Sequence, residues 1–381
     1  MCVGGPLAIP IRHPLSPSAN WPLVRRGVLV VVGFLIFFCL LNRSIVRFEE
    51  WSEAREAVSR PCKCGEEEMC FSFTTRKGWA FPCELLPVLE RYQLLGSQSI
   101  DEDRDVQADM VPIISFVSTD HLPEMRHMIS SVRNNGINNT IIVYDIGLSN
   151  EAKDELHAVC GVEVRTFPWW EYPEYFTNIA EYRFKVAVLA RSWLEFKHFW
   201  IFDASTRVMS GEGMTQFYNH VKNGSVEGAA HRLPSKRITS IYALTDPRLY
   251  NFFPVSEGIK RRVMHDASPL FVHRSEFARD VIKWHVLCAF TKNCLGPSGT
   301  KVYCDLNGKD LSNTYQGCHR FDQSSLNVIR YALLDSPKYK DLKKRMSQGA
   351  VEMNFVVTER SKRMKPLSYP CPDDRRKRLA N

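Results

Sequence analysis

The chain has 381 residues, 44% of them hydrophobic and 24% charged, which is the composition of ordinary globular protein and suffices for one large domain or two modest ones. Its formal net charge is +8, but the basic residues form several short clusters without interleaved aromatic residues. This pattern argues against a nucleic-acid partner. We interpret the clusters as solvated surface charge, with attraction to anionic ligands such as nucleoside diphosphates as the alternative.

The N-terminal residues predict a membrane anchor behind a short tail. Residues 1–26 are rich in proline and lack periodicity, so we expect a disordered cytoplasmic tail. Residues 27–46 begin with an uncharged apolar run that arginines flank on both sides. The run is short for a bilayer, but neighbouring apolar residues extend it while the arginines snorkel. No small-residue cleavage site follows, which favours a single-pass type II anchor over a cleaved signal peptide.

The cysteines indicate an oxidising compartment. All 12 except Cys2 and Cys39 lie beyond the predicted anchor, and they cluster in loop-like segments. Such a set is typical of disulfides in the secretory lumen, and glycosylation sequons at Asn138 and Asn223 agree with that location. Zinc binding by Cys62, Cys64, Cys70 and Cys83 is the alternative, but they lack paired CxxC spacing and neighbouring histidines.

Residues 47–109 are interpreted as a stem. A charged segment over 49–60 precedes a cysteine-rich module that ends near Leu95, and the acidic run at 101–105 is typical of a solvated linker. So short a module needs disulfides to stand alone, and it is also a candidate protein-interaction unit. The aromatic residues available for a small core in it are Phe71, Phe73, Trp79 and Phe81.

From residue 110 to about residue 360, β-rich and helical segments alternate. Strands are predicted over 111–117, 140–145, 162–167 and 199–202, and helices over 122–134, 150–158 and 179–195. This spacing predicts right-handed βαβ units and therefore a mixed, mainly parallel α/β sheet flanked by helices. Further on, Ser275 is expected to cap a helix that runs to Cys288. Asp322 is a candidate N-cap for an apolar helix over 326–334.

Polar residues stand at the ends of three predicted strands of this domain. In open α/β sheets, ligands bind beyond the carboxyl ends of the strands, so we expect these side chains to gather at one edge. The alternative for Asp203 is a simple turn where a strand leaves the core. The residues concerned are Ser118, Thr119, Asp120, Asp145, Asp203, Ser205 and Arg207.

Several of these groups have the chemistry of a phosphate site. Asp203 is expected to bind Mn²⁺ or Mg²⁺, which prefer carboxylate and phosphate oxygens. Arg183 and Lys185 begin the preceding helix and are predicted to contact phosphates, with a solvent-facing helix end as the alternative. His319 is predicted to be a metal ligand, a phosphate contact or a base, although a single histidine is more often structural.

These segments resemble a known enzyme class. A tail, an anchor, a stem and an α/β domain together are similar to a type II Golgi glycosyltransferase of the GT-A (Rossmann-like) nucleotide-sugar fold. Residues 200–205 resemble its hydrophobic strand and Asp-x-Asp motif, and residues 322–327 resemble the Asp-Gln-x-x-Leu-Asn segment of glycogenin-like and galactinol-synthase-like transferases. The greatest similarity, over about 110–357, is to an uncharacterised animal family of GT-A-like secretory-pathway proteins known as a domain of unknown function.

The resemblance implies a reaction and a location. It implies transfer of a sugar from a nucleotide-diphosphate donor, most often a UDP-sugar, to a glycan, glycoprotein or glycolipid acceptor in the lumen of the Golgi or endoplasmic reticulum. The catalytic domain would span 110–360, with a basic tail over 361–381. The alternative is a catalytically inactive luminal pseudoenzyme that binds glycans or a protein partner.

The resemblance also implies roles for individual residues. Asp322 would orient the acceptor or act as a base, with Asp203 and His319 as the metal-binding catalytic groups. Ser205 stands where the family pattern has a second aspartate, and because a hydroxyl is a poorer metal ligand, the need for Mn²⁺ or Mg²⁺ is left open. The implied donor-binding residues are Ser118, Thr119, Asp145, Arg183, Lys185, Ser205, Arg207 and Gln323.

Overall fold

The computed structural model describes residues 69–96, 100, 102–226, 229–230, 238–306, 310–348, 353–360 and 367–370. The predicted cytoplasmic tail, the anchor over 27–46 and the first part of the stem lie outside these residues. No helix in the described part of the chain is long and apolar enough to cross a membrane.

Strands and α-helices alternate regularly from residue 113 to residue 201 and less regularly beyond it. The strands are β1 (Cys70–Phe73), β2 (Arg76–Ala80), β3 (Ile113–Val117), β4 (Ile141–Asp145), β5 (Val162–Thr166), β6 (His198–Ile201), β7 (Thr206–Val208), β8 (Ala229–Ala230), β9 (Leu270–His273) and β10 (Val356–Thr358). The α-helices are α1 (Leu86–Arg91), α2 (Leu122–Asn134), α3 (Asn150–His157), α4 (Arg183–Glu195), α5 (Gly211–Lys222), α6 (Leu249–Phe252), α7 (Glu257–Lys260), α8 (Glu276–Ala289), α9 (Lys292–Leu295), α10 (Phe321–Leu334) and α11 (Lys340–Gln348).

A six-stranded mixed sheet forms the centre of the domain, with the spatial order β5, β4, β3, β6, β9, β8. The four strands from β5 to β6 are parallel, whereas β9 runs antiparallel to β6 and β8 antiparallel to β9. The predicted mainly parallel α/β sheet is therefore confirmed. The strand order reverses between β3 and β6, because β4 and β5 extend to one side of β3 and β6 lies on the other.

The central strands bury both of their faces, as expected for parallel strands that helices cover on two sides. Along β3, Ile114 and Phe116 enter one apolar cluster, whereas Ile113 and Val117 enter a second cluster on the opposite face. The same alternation continues through β4 and β6. This is why the β-rich runs in the sequence are almost wholly apolar.

The capping residues in the sequence predicted most of the helix ends correctly. The side chains of Ser149 and Ser275 accept hydrogen bonds from the main-chain amides three residues later, so both predicted N-caps are confirmed. The helix predicted from residue 179 instead begins at Arg183, after a 3₁₀ turn over 179–181. The predicted N-cap role of Asp322 is wrong, because α10 already begins at Phe321 and Asp322 lies within its first turn.

The described part of the predicted stem module packs onto the main domain. The ring of Phe71 contacts Phe253 and Trp284, with centroids 5.2 and 5.0 Å apart, and Phe81 stacks on Phe252 at 5.4 Å. These residues belong to one apolar cluster with the sheet. The aromatic side chains of β1, β2 and their surroundings therefore extend the domain core rather than form one of their own.

Disulfides occur in the described residues, as the cysteine pattern predicts. Cys288 pairs with Cys294 at the end of α8, and Cys304 pairs with Cys318 just before α10. Cys70, Cys83 and Cys160 are also disulfide-bonded.

A small antiparallel ribbon brings the C-terminal part of the domain next to the end of β6. In it, β10 pairs with β7, and the amide of Glu359 donates a hydrogen bond of 2.8 Å to the carbonyl of Ser205. Residues 358–360 are therefore held beside the segment that follows β6.

Candidate functional site

A cavity of about 260 Å³ opens beyond the carboxyl ends of β3 and β6. Residues 116–118 and 203–205 line it, together with side chains from α4, α10 and the loop before β9. This is the point at which the strand order reverses, and open α/β sheets bind their ligands in that crevice. The predicted location of the site at the strand ends thus coincides with the cavity.

The amino group of Lys185 lies at the polar centre of this cavity. Its Nζ is 2.9 and 3.0 Å from the two carboxylate oxygens of Asp203 and 3.3 Å from Oδ2 of Asp322. The rings of Tyr182 and Phe116 lie 4.6 and 5.3 Å from the same nitrogen. Burial would lower the pKa of Lys185, but the two carboxylates raise it above its usual value, so the ammonium stays charged.

Main-chain hydrogen bonds hold Asp203 at the start of a tight turn. Its amide donates to Ser268 Oγ at 2.7 Å, and its carbonyl accepts from the amide of Thr206 at 2.9 Å. The hydroxyls of Thr206 and Ser268 are 3.1 Å apart and brace the turn against the loop before β9. The carboxylate is therefore presented to the cavity by a rigid support.

Two further carboxyl groups in the cavity hold protons more tightly than usual. Burial raises the pKa of Asp322, and Asp203 adds to the effect while Lys185 opposes it. Burial also raises the pKa of Asp266, with Arg320 opposing it. Gln323 connects the two segments, since its Nε2 donates to the carbonyl of His265 at 2.9 Å and to Asp266 Oδ1 at 3.3 Å. A carboxyl group whose pKa is raised by burial is suited to general acid–base chemistry.

Two arginines also line the cavity. Arg320 precedes α10, and its Nε donates to Gln323 Oε1 at 3.2 Å while its Nη1 donates to the carbonyl of Val302 at 3.5 Å. Arg360 follows β10 and is exposed. Planar guanidinium groups suit bidentate recognition of phosphate or carboxylate oxygens.

The cavity brings together half of the twelve residues predicted for the site. Both Asp203 and Asp322 face Lys185, which no sequence pattern had joined to either of them. The predicted residues that line the cavity are Ser118, Lys185, Asp203, Ser205, Asp322 and Gln323.

Asp145 and Thr119 support neighbouring loops and do not line the cavity. Oδ1 of Asp145 accepts hydrogen bonds from the amides of Gly147 and Leu148 at 2.8 and 2.6 Å, and its Oδ2 is 2.7 Å from Lys153. Burial would raise the pKa of Asp145, but Lys153 and the amides lower it, so it is a fixed anion. Thr119 accepts from the amide of Ser149 at 2.7 Å. Both side chains fix the loop after β4.

Arg183 and Arg207 also lie outside the cavity lining. The fully buried guanidinium of Arg183 donates to Glu181 at 2.6 Å and to the carbonyl of Lys292 at 2.6 Å, so it joins the start of α4 to α9. Arg207 is buried and donates to the carbonyls of Ala204 and Thr206 at 2.7 and 2.9 Å. The phosphate contacts predicted for these arginines find no support in this geometry.

His319 is a structural residue in this fold. Its Nδ1 accepts a hydrogen bond from the amide of Asp246 at 3.1 Å, and its Nε2 lies 3.0 Å from the carbonyl of Leu295, to which it donates. Burial lowers the pKa of His319 to about 4, so the ring is neutral. With both nitrogens engaged, no lone pair is left for a metal, and it is not part of the cavity wall. Among the described residues, no group of three or more His, Cys, Asp or Glu is arranged to hold a metal ion.

Sequence reasoning did not assign roles to several residues that line the cavity. Asp266 stands in a polar loop just before a buried strand, whereas the signal that identified Asp203 was its place just after one. Arg320 adjoins His319 in a polar segment, whereas nothing local marked Arg360. Tyr303 is an exposed lining residue next to Cys304, whose disulfide with Cys318 ties this segment to the one just before α10.

Comparisons with known proteins give a partial family match. A family described as a protein of unknown function (DUF1647) matches residues 65–190. No curated protein matches the chain significantly.

Several solved structures align with the chain at low similarity. An active-site mutant of LgtC is 13% identical, covering 65% of this chain and 87% of that one, with a TM-score of 0.35. The galactosyltransferase LgtC in complex with donor and acceptor sugar analogs is 12% identical, with coverage of 65% of this chain and 87% of that one and a TM-score of 0.34. The WbbM bifunctional glycosyltransferase is 10% identical, with coverage of 66% of this chain and 55% of that one and a TM-score of 0.28. Likenesses this weak carry no inference about activity, which must come from the cavity.

Proposed function

We propose that this chain is a glycosyltransferase of the GT-A-like type that uses a nucleotide-diphosphate sugar as donor. The observation that carries the proposal is the cavity between the ends of β3 and β6, which buried carboxyl groups and two arginines line together. The crevice beside a reversal of strand order suits a nucleotide. The resemblance of residues 200–205 and 322–327 to nucleotide-sugar transferases supports the same substrate class.

The side chains match what sugar transfer requires. The acceptor oxygen forms a bond to the anomeric carbon, the bond from that carbon to the diphosphate breaks, and the acceptor proton passes to a base. Positive charge must stabilise the leaving diphosphate, and Arg320 and Arg360 are suited to this. Asp322, whose pKa burial raises, is the proposed base or acceptor-orienting group, and Asp266 is a second carboxyl group within the same wall.

We further propose a UDP-sugar donor and a glycan, glycoprotein or glycolipid acceptor in the Golgi or endoplasmic reticulum lumen. The disulfides Cys288–Cys294 and Cys304–Cys318 are consistent with an oxidising compartment. The proposed topology is single-pass type II, with residues 27–46 as anchor.

The proposal is tested by thermal unfolding of the full-length chain with UDP, GDP or CMP. A nucleotide at about 100 times its Kd stabilises the folded state by about 2.7 kcal/mol, which raises the melting temperature measurably. Asp322→Asn should keep the nucleotide-induced rise in melting temperature. It should lower the rate of sugar transfer, measured as nucleotide released from the corresponding nucleotide sugar, by about 100-fold or more, because it removes the proton acceptor. Asp145→Asn is the control, since this aspartate ends the neighbouring strand outside the cavity.

One observation favours a second candidate function. Lys185 already neutralises Asp203 and contacts Asp322, so the polar centre of the cavity is occupied by the protein's own charge. A luminal pseudoenzyme that binds glycans or a protein partner would have this property without catalysis. It predicts no stabilisation by any of the three nucleotides, and that result would reject the transferase proposal.

A further inference from the structure

The residues predicted to hold Mn²⁺ or Mg²⁺ do not fit such an ion. Both ions need several oxygen ligands with lone pairs directed at one point. His319 has both ring nitrogens engaged by main-chain groups, and Ser205 offers only a hydroxyl. Asp203 is the remaining predicted ligand, and both of its oxygens already face the ammonium of Lys185.

The ammonium of Lys185 lies between two carboxylates, in the position that a bound metal cation would take. Its nitrogen is 2.9 and 3.0 Å from the oxygens of Asp203 and 3.3 Å from Asp322, so one positive charge joins the end of β6 to the first turn of α10. The side chain is 14% exposed and borders two aromatic rings. A divalent ion placed on Asp203 would lie within a few ångströms of this ammonium, and the repulsion between them would oppose its binding.

We propose that the ammonium of Lys185 replaces a divalent cation as the counter-ion of Asp203 and Asp322, so that this cavity binds a nucleoside diphosphate without a metal. The phosphates then face Arg320 and Arg360. The part of the proposal that concerns the nucleotide rests on the proposed function, whereas the part that concerns Lys185 and the metal does not.

The arginines are the cations in the cavity wall that remain available for the phosphates. The Lys185 ammonium has its hydrogen-bonding capacity directed at three carboxylate oxygens. Arg320, by contrast, donates its hydrogen bonds to neutral acceptors at 3.2 and 3.5 Å and interacts electrostatically with Asp266, so its guanidinium can turn toward an anion. Arg360 is exposed at the same cavity. Guanidinium groups bind phosphate oxygens in pairs and do not depend on a metal.

Direct titration of Mn²⁺, followed by electron paramagnetic resonance on the purified full-length chain, tests the role of Lys185. In the wild type we expect no Mn²⁺ to be bound at Asp203. The variant Asp203→Asn should therefore give the same titration as the wild type. In Lys185→Ala, the freed carboxylates should bind Mn²⁺, and the double variant Lys185→Ala/Asp203→Asn should lose it again. Lys153→Ala is the matched control: it also removes a lysine from a strand-end aspartate, Asp145, but among the described residues no second carboxylate forms an ion pair with that lysine, so it should gain no Mn²⁺ site.

Two results of this titration would overturn the proposal. The first is stoichiometric Mn²⁺ in the wild type that disappears in Asp203→Asn. The second is a Lys185→Ala variant with wild-type circular dichroism that binds no Mn²⁺.

A second measurement covers the case in which Lys185→Ala does not fold. The Kd of UDP and GDP for the wild type is measured by calorimetry in EDTA and in MnCl₂. Equal values within twofold, together with a weakening of about tenfold in Arg320→Ala, support the proposal. A tenfold tightening by Mn²⁺ overturns it. If neither nucleotide binds in either buffer, the proposed function fails, and the Mn²⁺ titration of the wild type still decides the role of Lys185.

Discussion

His319 illustrates how a single residue can look catalytic and yet serve the fold. A histidine next to an arginine and an aspartate, just before a helix, is a reasonable candidate for chemistry. In the structure its imidazole instead joins the amide of Asp246 to the carbonyl of Leu295, which lie on separate segments. A buried ring that satisfies two main-chain groups contributes stability, because either group left unpaired would carry the cost of its desolvation.

This role predicts a pH-dependent stability difference. Replacing His319 by alanine should lower the free energy of unfolding at pH 7 by about 1–3 kcal/mol, since the amide and the carbonyl lose their partner. The pKa of His319 is about 4 in the folded state, below the ordinary value of about 6.5, so the unfolded chain binds more protons between these values. Wild-type stability should therefore fall as pH drops from 6.5 toward 4, and the deficit of His319→Ala should shrink.

Urea denaturation at a series of pH values measures this deficit. His121→Ala is the control, because that histidine is exposed and should give nearly wild-type curves. A deficit that stays constant from pH 7 to pH 4 would contradict the assigned role.

At the level of elements, Arg183 holds the start of α4 against the end of α8 and the beginning of α9. Its guanidinium donates to the carbonyls of Ala289 and Lys292 and pairs with Glu181, while Tyr175 covers its face at 4.9 Å. Because α4 also carries Lys185 into the cavity, this anchor fixes the position of the site without touching a ligand.

Replacing Arg183 by methionine should destabilise the chain without changing nucleotide affinity. Loss of a fully buried charge partner costs about 3–5 kcal/mol, and calorimetry or urea denaturation would detect it. The Kd of a bound nucleotide should stay within about threefold of the wild type, as long as the measurement is made well below the melting temperature. Arg165→Met is the control, since its partly exposed pair with Glu195 should cost less than about 1 kcal/mol. A large change in Kd with little change in stability would instead restore Arg183 as a phosphate contact.

At the level of the whole molecule, the cysteine-rich module and the sheet share one core. Phe81 is fully buried and stacks on Phe252, and Gly78 approaches the main chain so closely that an added Cβ would lie 1.9 Å from the carbonyl oxygen of Phe252. Contacts this close require the module and the domain to adopt their positions together.

Shared packing predicts cooperative unfolding. Phe81→Ala should lower the free energy of unfolding by about 3–5 kcal/mol, and the module and the domain should still melt in one transition. Tryptophan fluorescence and far-ultraviolet circular dichroism, recorded on the same sample, report whether the transitions coincide. Trp79→Ala is the matched control, because that aromatic side chain on the same hairpin is 59% exposed. A separate early transition in Phe81→Ala would show that the module folds independently.

The sequence alone was sufficient to predict a mainly parallel α/β sheet and the location of the site at the ends of its strands. Apolar runs such as 141–145 must be strands that are buried on both faces, and their alternation with amphipathic helices requires a mainly parallel sheet. Because parallel strands end at one edge, the polar residues after β3 and β6 had to lie near each other. These conclusions depend on local periodicity and on connectivity, which a single sequence contains.

Which of the polar residues face the cavity was decided only by the tertiary structure. Arg183 and Lys185 are two positions apart on α4, yet one is directed at a carbonyl 106 residues away and the other at the carboxylates of Asp203 and Asp322. Asp266 joins the site from a loop beyond β8. The direction and the partners of a charged side chain depend on segments far along the chain, because only packing determines which buried groups remain to be paired.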